Sequence, residues 1–243
     1  MADADRYSEV LKYTMSSELM KKLGALDFPK KNISIAEAQF GFRYVEEYLG
    51  NLPANSHVLE VGCGSGLLMG LLKERYTTLN IEGVEPLGDG FAALDSINRY
   101  VREQGIQIQE SGYQELTPKQ KYDVIYSINV FEHLEDWRHF LGFVETHLTL
   151  GGVCLILCPN YGMPYESHFK IPVIFNKSIT KLFFNKSIVR HENRKDSHGL
   201  WRSLNFVKLR QVRRAVKQMP LDLTVRHRII EDMVIRLGND PEF

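Results

Sequence analysis

Long hydrophobic runs are missing from this 243-residue chain. No stretch approaches the roughly 18 apolar residues that a bilayer crossing needs, and Met1 to Arg6 carries two aspartates where a secretory signal would place basic and then apolar residues. Cysteine is scarce. Cys63, Cys154 and Cys158 are too few, and too deeply set in apolar runs, for a disulfide framework, which argues against a stapled secreted scaffold and suits a reducing compartment. A soluble, cytoplasmic chain is expected. Cys154 and Cys158 fall in one strand-like run, so packing rather than metal binding is expected of them. Net charge is also absent, at zero, but the balance is not local: residues 1–169 hold 14 basic against 23 acidic residues, 170–217 hold 13 against 2, and 218–243 hold 3 against 5. The basic segment implies either an anionic partner or a solvated face that balances an acidic body.

What is present is ordinary globular material, 44% hydrophobic and 25% charged, patterned as alternating strands and helices. Helices are expected at Arg6 to Leu23 and from Ser34, where Ser34-Ile35-Ala36-Glu37 spells a capping box and Ala38, Phe42, Val45 and Leu49 then share a face. Strands are expected at Ser56 to Val61, Leu79 to Val84, Ile106 to Gln109, Tyr122 to Ile128 and Val153 to Cys158, with helices at Leu67 to Arg75, Gly90 to Glu103 and Trp137 to Leu148 between them. That alternation implies a doubly wound, mostly parallel α/β sheet. After Pro159 it stops for about sixty residues, longer than a plain connection and more in keeping with a lid or binding element. Within that insertion Phe175-Asn176-Lys177-Ser178-Ile179 recurs as Phe184-Asn185-Lys186-Ser187-Ile188, too few copies for a repeat architecture. A helix at Phe206 to Met219 follows, with Arg210, Arg213, Arg214 and Lys217 on one side, then a strand at Leu221 to Arg228 and a helical pattern at Ile229 to Leu237.

The chemistry is concentrated in Glu60-Val61-Gly62-Cys63-Gly64-Ser65-Gly66. A strand, a glycine loop and a helix in that order leave free amides at a helix start and let a ligand touch backbone. A dinucleotide fingerprint needs a further glycine, where Leu67 or Met69 stands, and a phosphate loop needs a Gly-Lys-Ser/Thr ending that is absent. Glu60 opposes a phosphate and suits a cation or hydroxyls. Glu85, 19 residues past Gly66, ends the second strand where a carboxylate can accept both hydroxyls of a ribose.

These residues resemble the first two motifs of the class I S-adenosylmethionine-dependent methyltransferases. Asp123 to Asp136 looks like that family's fourth strand and the segment after it, and Leu150-Gly151-Gly152-Val153 like the turn before its fifth. The likeness covers roughly residues 55–160. It implies a Rossmann-like fold, S-adenosylmethionine as cofactor, and a cofactor bed of Glu60, Gly62, Cys63, Gly64, Gly66, Glu85 and Asn129, with Gln114 near the position where the family often places an acid for the adenine. Some quinone-pathway members bind a metal through Glu-x-x-Glu-His. Here Asn129 takes the first place before Glu132-His133, so no metal is expected. The family also tends to end in an antiparallel seventh strand, and no run remains for one after Leu237, so either the edge is completed differently or the chain is a truncated form.

The chain is expected to be a single methyltransferase domain: a helical cap at 1–50, a core at 55–160, a lid at 161–220 and the end of the sheet at 221–243. Where a hydroxyl acceptor needs a base, histidine is the usual choice. His133 after strand four, His168 after strand five and His198 farther on are the candidates, each with a plain packing or turn role as its alternative. The expected reaction is methyl transfer to a small-molecule acceptor that carries negative charge. The alternatives are a methyltransferase acting on RNA or another polyanion, and a module that binds the cofactor without turnover.

Overall fold

The computed structural model describes residues 12–227, apart from 15, 88–93 and 118. Five strands, β1 (His57–Val61), β2 (Asn80–Val84), β3 (Ile108–Gln109), β4 (Tyr122–Ile128) and β5 (Leu148–Leu157), pair in the order β3-β2-β1-β4-β5, and every pairing is parallel. A parallel sheet has both faces covered, and side-chain alternation supplies both. Val58, Ile81 and Val124 enter one core, while Leu59, Val84 and Ile125 enter the other. Residues 12–14 and 16 are helical, and the helices that follow among the described residues are α1 (Glu18–Gly24), α2 (Lys31–Leu49), α3 (Leu67–Arg75), α4 (Asp95–Glu103), α5 (Trp137–His147), α6 (Lys177–Lys195), α7 (Leu200–Ser203) and α8 (Leu209–Val216). The first core is closed by α1 to α4 through Leu23, Phe42, Leu72 and Val101; the second by α5 and α8 through Phe140, Val144 and Val216. The expected doubly wound sheet is therefore present, with its direction of winding reversing between β1 and β4.

Four expectations need correction. The capping box at Ser34 does not form, because the turn at Pro29 runs directly into α2: the Lys31 amide donates to the Phe28 carbonyl and the Ser34 amide already donates to that of Lys30. Lys30 takes the helix start in a left-handed conformation (φ 56°), and the buried Ser34 hydroxyl has no hydrogen-bond partner. The long first helix is divided, since Ser17 caps α1 by accepting the Met20 amide at 3.0 Å, and residues 6–11 lie outside the described residues. The strand expected at Leu221 to Arg228 is absent over 221–227. There Leu221 joins the second core while Arg226 reaches Glu47 at 3.3 Å and lies over the Tyr48 ring at the end of α2. Arg228 and the expected helix from Ile229 lie outside the described residues.

The insertion builds a small core of its own. β6 (Tyr165–Glu166) and β7 (Ile171–Pro172) form a two-residue antiparallel ladder, and Tyr161, Phe169, Ile171, Ile188, Leu200, Trp201 and Leu204 pack together beneath α6 and α7. The repeated pentapeptide has no structural counterpart: Asn176 caps α6 through the Ile179 amide, whereas Asn185 lies inside the same helix. α8 covers less than expected, because Phe206 adopts a left-handed φ of 56° and the helix starts only at Leu209.

Candidate active site

At the carboxyl end of β1 the chain turns through Gly62, Gly64 and Gly66, all with positive φ. Gly62 is required by close approach, since a Cβ there would lie 2.5 Å from the side chain of Val130, in the loop that follows β4. The two loops therefore touch across the point where the winding reverses, the usual ligand crevice of an open α/β sheet. Glu85 ties the glycine loop from the end of β2: Oε2 accepts the Gly64 amide at 2.7 Å and Oε1 the Leu87 amide at 2.8 Å. Asn98 donates to the Gly64 carbonyl at 2.7 Å, and its buried Oδ1 has no partner. Glu60 is buried in β1, and its Oε2 accepts the Tyr126 hydroxyl at 3.0 Å. Burial, with the charge of Glu85 adding to it and against the Tyr126 hydrogen bond, pushes the Glu60 carboxyl up to about 8. Burial likewise raises Glu85, despite its two amide donors.

The remaining candidates of this bed lie at the same edge of the sheet. Cys63 is a buried free thiol whose pKa burial raises. Gln114 is exposed on the 3-10 turn Tyr113–Glu115 that follows β3, with its Oε1 folded over Gly112. Asn129 ends β4 in a left-handed conformation (φ 55°), its amide donating to the Leu157 carbonyl at 2.7 Å. Two buried carboxylates beside a glycine loop, with an unpartnered amide oxygen behind it, fit a ligand that is cationic at one end and carries hydroxyls at the other. That is the chemistry of S-adenosylmethionine and the reverse of a pyrophosphate.

A second cluster stands two residues beyond Val130. Glu132 and His133 lie on the 3-10 turn Phe131–His133, and His168 on the turn between β6 and β7. Glu132 is fully buried with neither carboxylate oxygen hydrogen-bonded, and burial raises its pKa to about 7. His168 is clamped by Glu166, whose Oε1 lies 2.7 Å from its Nδ1, while its Nε2 lies 3.9 Å from Glu132. Glu166 is fully buried and also accepts the Tyr161 hydroxyl and the amides of His168 and Phe169. Burial alone would raise Glu166, but His168 and these amides outweigh it and hold the carboxyl below its ordinary value. For His168 burial is likewise outweighed, here by Glu166, with Glu132 and Glu37 of α2 adding to the upward shift.

His133 has the opposite setting. Burial, reinforced by the charge of His168, drops its pKa to about 3, so the ring is neutral. Its Nδ1 lies 2.8 Å from Ser203 Oγ, and the Ser203 hydroxyl donates its one proton to the Leu200 carbonyl at 2.8 Å. His133 must therefore carry its proton on Nδ1, which makes Nε2 the acceptor atom of the ring. Asn205 fixes the same turn, donating to the carbonyls of Phe131 and Leu134 through Nδ2 and to that of Glu132 through its amide. The insertion thus braces the loop after β4.

His133 and His168 are brought together, their ring centroids 5.4 Å apart. His198, exposed on the turn before α7, is not part of this cluster. Glu132, His133 and His168 each offer a ligand atom, all within 4.8 Å of one another, although the first carboxylate of the quinone-pathway metal pattern is lacking. Sequence reasoning missed Glu166, Ser203 and Asn205. Only the spacing Glu166-Ser167-His168 hinted at the first, and nothing local marked the other two.

Residues 36–218 match the family model described as a methyltransferase domain. The chain belongs to the methyltransferase family. Two uncharacterized proteins of Mycobacterium tuberculosis, MT1557 of strain CDC 1551 and Rv1509 of strain H37Rv, are 32% identical to it over 212 residues, 86% of this chain and 72% of each of theirs. The ubiquinone biosynthesis O-methyltransferase of Rickettsia canadensis is 28% identical over 101 residues, 41% of each chain. A chain in the complex of the Haloferax volcanii Trm112 methyltransferase activator with the putative methyltransferase has a TM-score of 0.50 at 14% identity, covering 80% of this chain and 74% of its own, a likeness of fold. This methyltransferase uses S-adenosylmethionine.

Proposed function

We propose that this methyltransferase acts on a hydroxyl group of a small-molecule acceptor, with His168 as general base. The observation that carries the reading is the Glu166–His168 pair: a fully buried carboxylate on Nδ1 leaves Nε2 as the basic atom, beside the loop that touches the glycine turn. Glu85 is assigned the ribose hydroxyls and Glu60 the cationic end of the cofactor, with Gly62, Cys63, Gly64 and Gly66 giving backbone approach and Gln114 and Asn129 at the rim. When bound, the cofactor supplies a methyl group made electrophilic by its sulfonium. His168 accepts the acceptor's hydroxyl proton at Nε2, and Glu166 stabilises the imidazolium that results. Neutral His133, its tautomer set by Ser203, stands beside His168 at the edge of the same space. His198 is given no part.

The reacting end of the acceptor is uncharged in this reading. Glu132, Glu166 and Glu37 all act electrostatically on His168, so an anionic group there would meet three carboxyls. The O-methyltransferases among the similar proteins agree with a hydroxyl acceptor. The test is product analysis by mass spectrometry after incubation with S-adenosylmethionine and matched acceptors bearing a hydroxyl, an amine or a carboxylate. Methylation of the hydroxyl compounds, lost in His168→Ala with cofactor affinity retained, is expected. Methylation of only the amines would overturn the hydroxyl assignment, and activity abolished by a chelator and restored by magnesium would assign the Glu132, His133 and His168 atoms to a cation instead.

A further inference from the structure

α6 is a surface helix with apolar side chains on both of its sides. Its inner side buries Thr180 and Ile188 and half-buries Phe184, as a helix packed on a small core should. Its outer side nevertheless carries Leu182 and Phe183, 79% and 67% exposed, with Val189 also exposed. Isolated exposed apolar residues are unremarkable on soluble proteins, but several on one helix mark an interaction surface.

The turn that leads into the helix adds a second observation. An apolar residue just before an N-cap ordinarily packs on the fourth helical residue. Here that residue is Thr180, buried, with its hydroxyl bonded to the carbonyls of Ile174 and Asn176. Phe175 is left 84% exposed, on a left-handed backbone (φ 55°) that a bulky residue rarely adopts. A strained backbone that holds a phenylalanine out into solvent points to a use for that ring.

Charge narrows the occupant. α6 carries Lys177, Lys181, Lys186, Arg190, Arg194 and Lys195 against one acid, Glu192, which accepts the Trp201 amide from α7. A second copy of the chain meeting this face about a two-fold axis would set like charge against like charge. Aliphatic Leu182 and Val189 give a nucleic-acid backbone nothing to bind. Exposed Phe and Leu interleaved with Lys and Arg, on a helix that lies along the molecular surface, fit the boundary between lipid headgroups and acyl chains. Among the described residues no helix is long and apolar enough to cross a membrane, so contact would be at the surface only.

We propose that the outward face of α6, with the Phe175 turn before it, docks on the surface of an anionic lipid bilayer. The inference is independent of the acceptor reading. The test is flotation of the full chain with vesicles of phosphatidylcholine alone, and of phosphatidylcholine mixed with phosphatidylglycerol. Binding to the mixed vesicles about tenfold or more tighter than to the neutral ones is expected. Phe183→Asp and the Lys186→Ala/Arg190→Ala pair should each weaken it by a similar factor, while S-adenosylmethionine affinity stays at the wild-type value. Should Phe183→Asp fail to bind cofactor, the pair of alanine changes, confined to exposed side chains, carries the test. Equal affinity for both vesicles, no vesicle binding, a dimer that Phe183→Asp dissociates, or RNA that binds the same face in preference to anionic vesicles would each overturn the proposal.

Discussion

The two halves of the site are built by different means from similar parts. On the β1–β2 side, Glu60 and Glu85 flank a turn whose shape is set by backbone, and the contacts run between residues that end adjacent strands. On the insertion side, Glu132 and Glu166 flank His168, and the order comes from side chains far apart in the chain, such as Ser203 on His133 and Asn205 on the turn after β4. Their protonation differs accordingly. Glu60, buried beside another carboxyl, is pushed up to about 8, whereas Glu166, held by a histidine and two amides, is held down. A carboxyl kept neutral is poised to receive a cationic ligand; a carboxylate kept charged is poised to hold an imidazolium. In the function proposed above, that difference gives the first side to binding and the second to proton transfer.

Changes made on one side should leave the other unaffected. The largest effect is expected from His168→Ala, which should lower kcat by about 10²–10⁴-fold, the usual contribution of a positioned base, with S-adenosylmethionine affinity by calorimetry unaltered. Loss of cofactor binding in that variant would merge the two halves. Glu85→Ala should do the converse, weakening cofactor binding by about 2–4 kcal/mol, or roughly 30- to 1,000-fold, through loss of charge-assisted hydrogen bonds to ribose. Part of that loss would come from a looser glycine turn, because Glu85 also holds the Gly64 amide.

Glu60 gives a finer test through protons. In the folded, cofactor-free chain its carboxyl keeps a proton up to about pH 8, and a cationic ligand beside it favours the charged form. Cofactor binding at pH 7 should therefore release close to one proton, read as a dependence of calorimetric heat on the ionisation enthalpy of the buffer. A buffer-independent heat would place the cationic end of the ligand elsewhere. The same shift bears on stability. From its ordinary value of 4.5 up to about 8, the folded chain holds a proton that the unfolded chain has lost, so Glu60 makes stability fall as pH rises across that window.

The smallest effect is expected on the flank of the insertion. Arg210, Arg213 and Arg214 are exposed on α8, so their joint replacement by alanine should change acceptor affinity by no more than about threefold at low salt. A larger loss that fades between 0.1 M and 1 M salt, as the Debye length falls from about 10 Å to about 3 Å, would restore an anionic acceptor steered by that stripe.

The β1–β2 half of the site was legible in the sequence and the insertion half was largely not. α3 and β4 have the bounds that pattern alone gives, Leu67–Arg75 and Tyr122–Ile128, because each is a buried apolar run bounded by turn residues. The glycine turn and Glu85 stand out for a related reason: strand, turn and helix are local, so their spacing is written in one stretch of chain. Ser34 shows the limit of local reading, since the turn at Pro29 began α2 before the capping box could act. In the insertion, β6 and β7 are two residues long, below any detectable period. Glu166 carries no mark beyond its nearness to His168, and Ser203 meets His133 across 70 positions of sequence. The exposed face of α6 was hidden as well, because the sequence does not say which apolar residues of that helix, Leu182 and Phe183 among them, are turned to solvent.

The division of labour rests above all on Glu166 acting through His168, and the pH dependence of kcat/KM for wild type and Glu166→Gln tests it most directly. In wild type, Glu166 raises the His168 pKa above its ordinary 6.5, so the rate should climb with pH through a limb above that value, as the imidazole loses its proton and becomes a base. Removing the carboxylate charge should move the limb to lower pH and lower the plateau, since a less basic imidazole accepts a proton less readily, with S-adenosylmethionine affinity unchanged. A Glu166→Gln enzyme whose limb and plateau coincide with those of wild type would contradict the account and leave Glu166 as a structural brace for the turn between β6 and β7.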